Sequence, residues 1–160
     1  MNITFDQFAG LVTEWANVKS AEFKFYYPLK GGWEAWTQAE VAAYILSKDS
    51  TIDILREWSI YQNNNQRVDW LFNNQDPTVG NKIAIELKCQ SFENRNTFTN
   101  GLAADEAKLA QANLKAAYQG CQTGVMGISF EPTATNWMQA NNYVLVFKNA
   151  DIAIGIKRLN

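Results

Sequence analysis

The stretch KIAIELKCQS, residues 82–91, constrains the fold more than any other part of the chain. It is almost wholly apolar up to Ile85, as in a buried strand, and then Glu86, Lys88 and Gln90 interrupt it at every second position. Side chains of a strand alternate between faces. Ile83, Ile85, Leu87 and Cys89 therefore form one apolar face, suited to packing under a helix. Ala84, Glu86, Lys88 and Gln90 form the other, with three polar groups about 7 Å apart along it. Buried charge is costly unless it is paired or metal-bound, so this face requires partners from elsewhere in the chain.

The flanking sequence suggests where those partners lie. TFDQFAGLVTEWANVKS reads as a helix, with Phe8, Leu11, Val12 and Trp15 at three- and four-residue spacing and a Thr4/Gln7 capping box. EFKFYYPL reads as a short aromatic extended segment ended by Pro28, and Gly31-Gly32 release a second helix from Trp33 to about Lys48. TIDILREWSIYQ and RVDWLFNN predict a hairpin, with residues 82–90 as the third strand. Residues 101–120, rich in Ala, Leu, Lys and Gln and closed by Gly120, predict one helix. TGVMGISF, NNYVLVF and DIAIGIKRL predict further strands. A helix between the third and fourth strands permits a parallel crossover. The expected class is α/β or α+β, a central mixed sheet flanked by helices, in one domain over residues 1–160.

Composition narrows the chemistry. Apolar residues make up 47% and charged residues 19%, which marks a globular chain. The net charge of −2 argues against a generally basic nucleic-acid coat protein but leaves room for a local basic patch. No apolar run reaches the roughly 18–20 residues of a membrane span, and MNITFDQFAG lacks the features of a signal peptide. The expectation is a cytoplasmic protein with no membrane partner, or an effector domain delivered by other means. Cys89 and Cys121 read as two buried thiols. The absence of histidine removes Ser-His-Asp and Cys-His catalysis and every nuclease with a histidine base. Proton work would fall to carboxylates, lysine, tyrosine or a metal.

Hairpin geometry places Asp69 beside Glu86 on the polar face, with Arg67 and Leu71 on its side of the strand and Val68, Trp70 and Phe72 on the other. Two carboxylates so close repel unless a cation sits between them. Hard dications such as Mg²⁺ or Mn²⁺ suit oxygen ligands, and Lys88 could orient water or neutralise charge developing on a phosphate. A solvent-facing Glu86–Lys88 ion pair is the plainer alternative.

Asp69 in RVDWLF, followed 17 residues later by Glu86-Leu87-Lys88 in IELK, resembles the PD-(D/E)xK nuclease superfamily. The predicted order matches its αβββαβ restriction-endonuclease-like core, from about Trp33 to Phe130, with an extra N-terminal helix and C-terminal strands. The resemblance implies that Asp69, Glu86 and the Leu87 carbonyl ligate Mg²⁺ (or Mn²⁺) and that Lys88 orients the attacking water. It also implies a supporting glutamate on the first core helix, for which Glu40 is the candidate and Glu34 its competitor. Gln90 extends the motif to E-x-K-x-Q. Val68 stands where the motif often has proline.

The resulting expectation is a Mg²⁺-dependent nuclease cutting phosphodiester bonds, with DNA as partner, of a toxin/effector or restriction/repair kind. A homodimer, or an immunity protein if the chain is a toxin, would be its protein partner. A catalytically inactive member of the same fold, acting as a binding or self-associating module, is the alternative. A carbohydrate- or protein-binding β-rich module is a third. Lys108, Gln111 and Lys115 read as a solvated helix face. Trp33, Trp36, Trp58 and Trp70 read as core.

Overall fold

The alternation of residues 82–90 places them at the centre of a sheet with helices on both faces. The computed structural model describes residues 1–160. The chain forms α1 (Phe5–Tyr26), α2 (Glu34–Lys48), β1 (Ile54–Trp58), β2 (Val68–Phe72), β3 (Ile83–Cys89), α3 (Phe98–Lys108), β4 (Gln122–Ser129), α4 (Pro132–Ala140), β5 (Val144–Lys148) and β6 (Ala153–Arg158). The sheet is open and mixed, in the order β1-β2-β3-β4-β6-β5, and only β3 and β4 run parallel. The fold is α+β. No helix is long and apolar enough to cross a membrane.

The two faces of β3 separate two cores. Ile83, Ile85, Leu87 and Cys89 join Trp70, Phe72, Met126 and Ile128 under α1 and α2. Ala84 joins Leu71, Val125, Phe98, Leu102 and Met138 under α3 and α4. Gly127, level with Lys88 in the β3–β4 register, leaves room for this second layer. A Cβ there would meet Met138 Sδ at 2.8 Å and Leu102 at 3.2 Å.

Three sequence expectations need correction. EFKFYYPL is not extended, because α1 continues to Tyr26. Phe23 packs 5.0 Å from Trp15 and Tyr26 packs 4.5 Å from Trp36, ring to ring, and this burial outweighs the weaker helix preference of aromatic residues. The helix expected over residues 101–120 stops at Lys108. Asn113 Nδ2 turns back onto the Ala107 carbonyl at 3.0 Å, and the chain continues in short 3₁₀ turns that let buried Leu114 bridge to Tyr61. The helix Pro132–Ala140 was not expected. Pro132 opens it, and Ala134, Thr135 and Met138 are its buried side. Cys89 and Cys121 are buried free thiols.

Candidate active site in the β2–β3 fork

The β2–β3 ladder pairs Phe72 with Ile83, Leu71 with Ala84 and Trp70 with Ile85, and stops there. Beyond it, β3 continues alone on that side. Gln90 N–H donates to Ile128 on the β4 side at 2.8 Å. Because N–H groups alternate along a strand, those of Leu87 and Cys89 point into the gap that β2 has left. An unpaired buried N–H is costly, and two carboxylates satisfy this pair. Leu87 N–H donates to Asp69 Oδ2 at 2.5 Å, and Cys89 N–H donates to Glu34 Oε2 at 3.1 Å. Asp69 lies at an irregularity: Val68 packs with Leu71 and not with Trp70. Glu57, which the β1–β2 register brings level with Asp69, has a φ of 52°.

Asp69 is held from the α2 side as well. Gln38 Nε2 donates to Asp69 Oδ1 at 2.6 Å, and Gln38 Oε1 accepts from Arg56 Nη2 at 3.2 Å. Glu86 turns to the α3 side. Its Oε1 accepts from the Tyr61 hydroxyl and lies 2.7 Å from Lys108 Nζ. Lys88 spans both layers, 3.1 Å from Glu34 on α2 and 3.7 Å from Asp105 on α3. At the fork, side chains of α2 and α3 thus meet around the edge of β3.

The electrostatics follow from the crowding. Asp69 and Glu86 are 8% and 3% exposed. Burial, and then the neighbouring Glu86 carboxylate, push Asp69 up to about 8, against the pull of the Leu87 N–H. Burial pushes Asp105 up to about 6 although Lys88 and Lys108 oppose it. Burial and Glu86 raise the Tyr61 hydroxyl, which stays a neutral donor. Burial pulls Lys88 down, but Glu34 and Asp105 outweigh it and its ammonium is held above the usual lysine range. Four carboxylates (Glu34, Asp69, Glu86 and Asp105) surround two ammonium groups (Lys88 and Lys108). When all are ionised the cluster carries an excess of two negative charges.

The donor set of hard oxygens, whose full ionisation calls for an added positive charge, fits a divalent cation such as Mg²⁺ or Mn²⁺. Asp69 and Glu86 are the side chains able to hold it. The Leu87 carbonyl lies on the same edge of β3 as its N–H. No three His, Cys, Asp or Glu side chains converge as a ready-made metal cluster.

Of the residues expected at the site, Asp69, Glu86, Leu87 and Lys88 come together. Glu40 does not. It faces α1 and pairs with Lys19 there at 3.6 Å, while Glu34, one helical turn and more away, reaches Lys88. Gln90 also turns elsewhere. Its Oε1 accepts from Phe130 N–H at 2.7 Å and Glu131 N–H at 3.0 Å, holding the entry to α4. Lys108 is no member of a solvated face, and Lys115 is tied to Ser59 Oγ at 2.7 Å. Trp58 is 40% exposed. Gln38, Tyr61 and Asp105 join the site without having been singled out in the sequence, and Lys108 joins it in place of the solvated face expected for it. One signal was available: Gly101, Asp105 and Lys108 fall at i, i+4 and i+7, one face of a helix. No protein-family model, curated protein or solved structure matches the chain.

Proposed function

We propose that the chain is a Mg²⁺- or Mn²⁺-dependent nuclease of the PD-(D/E)xK type that hydrolyses phosphodiester bonds in DNA. The observation that carries this reading is the joining of Asp69, Glu86 and Lys88 in one buried cluster at the β2–β3 fork. The order of α2, β1, β2, β3, α3 and β4, with β3 and β4 parallel, agrees with the αβββαβ core of that superfamily.

Held by Asp69, Glu86 and the Leu87 carbonyl, the dication would polarise the scissile phosphate and lower the pKa of water. The protein's own part is positioning and charge. Gln38 and the Leu87 N–H fix the Asp69 carboxylate, and Tyr61 fixes Glu86. Lys88, kept protonated by Glu34 and Asp105, is a cation and not a base at neutral pH. It would therefore orient the attacking water, which gives up its proton to solvent, and offset the charge that builds on the phosphate oxygens as the new P–O bond forms and the leaving oxygen departs with a proton from solvent.

Incubating supercoiled plasmid and RNA with the protein and Mg²⁺ or Mn²⁺ tests this. The wild type should nick or cut DNA, and Glu86→Ala and Lys88→Ala should each reduce the rate at least about a hundredfold, as expected for loss of a major electrostatic group. No cutting of either substrate with either metal would exclude nuclease activity.

A second reading, a non-catalytic binding protein on the same scaffold, draws on a different observation. Each carboxylate of the cluster already has an internal cationic or hydrogen-bonding partner, Asp105 through its 3.7 Å pairing with Lys88. Such a closed network can serve folding alone.

A further inference from the structure

Lys108 is the last residue of α3, and its ammonium turns back over the fork to Glu86. It lies 2.7 Å from Glu86 Oε1, donates to the Arg67 carbonyl at 3.1 Å and sits 4.8 Å from the centre of the Tyr61 ring. A carboxylate oxygen, a carbonyl oxygen and an aromatic face are what a bound cation selects. Tyr61 donates its hydroxyl to the same Glu86 oxygen, so that oxygen is fully engaged.

We propose that Lys108 is the resident counter-cation of Glu86, and that it must be displaced before a divalent cation takes that oxygen. The inference rests on the metal-dependent reading above and adds a competing ligand to it. Three features make the exchange feasible. The Lys108 side chain is 22% exposed, so its flexible stem has room to turn outward. Asp105 lies one turn earlier on the same helix, close enough for i,i+3 pairing. Asp105 Oδ2 makes no hydrogen bond and faces only the Lys88 ammonium, 3.7 Å away, so it can accept from Lys108 as well. The cluster would then keep Lys108 while gaining the dication, with no buried charge left uncompensated in either state.

The test is Mn²⁺ binding by the full chain, followed by calorimetry and by the loss of the free-ion electron paramagnetic resonance signal. Lys108→Met removes the charge and keeps the stem, Lys108→Arg keeps a charge, and Asp69→Asn reports whether binding is at this site. Lys108→Met should bind Mn²⁺ about tenfold to a hundredfold more tightly than wild type, the equivalent of one charge-assisted hydrogen bond no longer broken. Lys108→Arg should stay within about threefold of wild type. Mn²⁺ should also raise the melting temperature of Lys108→Met more than that of the wild type, because the variant's Glu86 lacks a counter-ion until the metal arrives. If Lys108→Met does not fold, Lys108→Gln takes its place in both measurements. Equal or weaker Mn²⁺ binding by the charge-free variant, with binding still abolished by Asp69→Asn, would overturn the role of Lys108 and leave the metal reading standing. Absence of Asp69-dependent binding in every protein, up to millimolar Mn²⁺, would overturn both.

Discussion

The Leu87 N–H ends on the Asp69 carboxylate, 2.5 Å away, just where the β2–β3 ladder has stopped. One side chain thus serves the sheet and the candidate chemistry together. It caps an edge that β2 has abandoned, and it sets its carboxyl close enough to Glu86 that the two do not ionise independently.

This double role makes stability depend on pH in an unusual direction. A carboxyl held at about 8 in the folded state titrates near 4 when unfolded. As pH rises from about 4 to about 8, the unfolded state loses this proton first. Stability should therefore fall across that window, the reverse of a salt-bridged aspartate. Asp105, raised to about 6, acts in the same sense. Melting in EDTA at pH 5, 7 and 9 should show a declining midpoint, and Asp69→Asn should flatten the slope. A midpoint that rises from pH 5 to 9 would contradict the crowding of Asp69 with Glu86.

Glu34, not Glu40, is the α2 carboxylate that touches the Lys88 ammonium. It also accepts the Cys89 N–H, so Glu34→Gln keeps an acceptor there while removing the charge beside Lys88. On the nuclease reading, this change should lower the cutting rate about tenfold or more and shift the alkaline limb of the pH–rate profile downward, because Lys88 loses a group that holds its proton. Glu40→Gln should leave both unchanged. Equal effects from the two substitutions would remove Glu34 from the site.

Gln90 gives a stability prediction. Its side chain accepts two backbone N–H groups at the entry to α4. Gln90→Leu leaves both without that partner and should cost about 2 kcal/mol, the range for unmade buried hydrogen bonds. Urea unfolding measures it. A loss below about 0.5 kcal/mol would show that water or the Glu131 carboxylate replaces the amide.

Much of this arrangement is legible in residues 67–90. The period-two alternation assigned the faces of β3 correctly, because a strand buried on both sides cannot slip by one residue without inverting them. The expected hairpin pairing of Asp69 with Glu86 does not form: the ladder ends at Trp70–Ile85, and an irregularity at Asp69 turns its carboxyl to Gln38 and the Leu87 N–H while Glu86 turns to Tyr61 and Lys108. What stayed hidden depends on distant contacts. Whether Glu34 or Glu40 faces the sheet is set by how α2 seats Val41 and Ile45 against the core. The early end of α3 is set by Leu114 finding Tyr61 across the chain, against good local helix propensity in residues 109–119. Gln90 misled because E-x-K-x-Q extends the polar face by one more residue, yet the α4 entry claims that amide. The face formed by Gly101, Asp105 and Lys108 was readable, but only once α3 is known to cross β3.

That crossing supplies a final prediction, in which stability and activity should separate. Gly101 lies over the Lys88 stem, and a Cβ there would stand 3.3 Å from both Lys88 Cδ and Cε. Alanine favours the helix interior over glycine by up to about 1 kcal/mol. The contact is tight but not forbidden, and a flexible stem yields by a few tenths of an ångström. Lys88 is tethered at its far end to Glu34 and Asp105, so the shift must pass to the ammonium. Gly101→Ala should therefore melt at the same temperature as wild type or up to about 4 °C higher, while any cutting activity falls about tenfold through displacement of Lys88. An unchanged rate at unchanged stability would mean that the position of the Lys88 ammonium is not critical to the reaction.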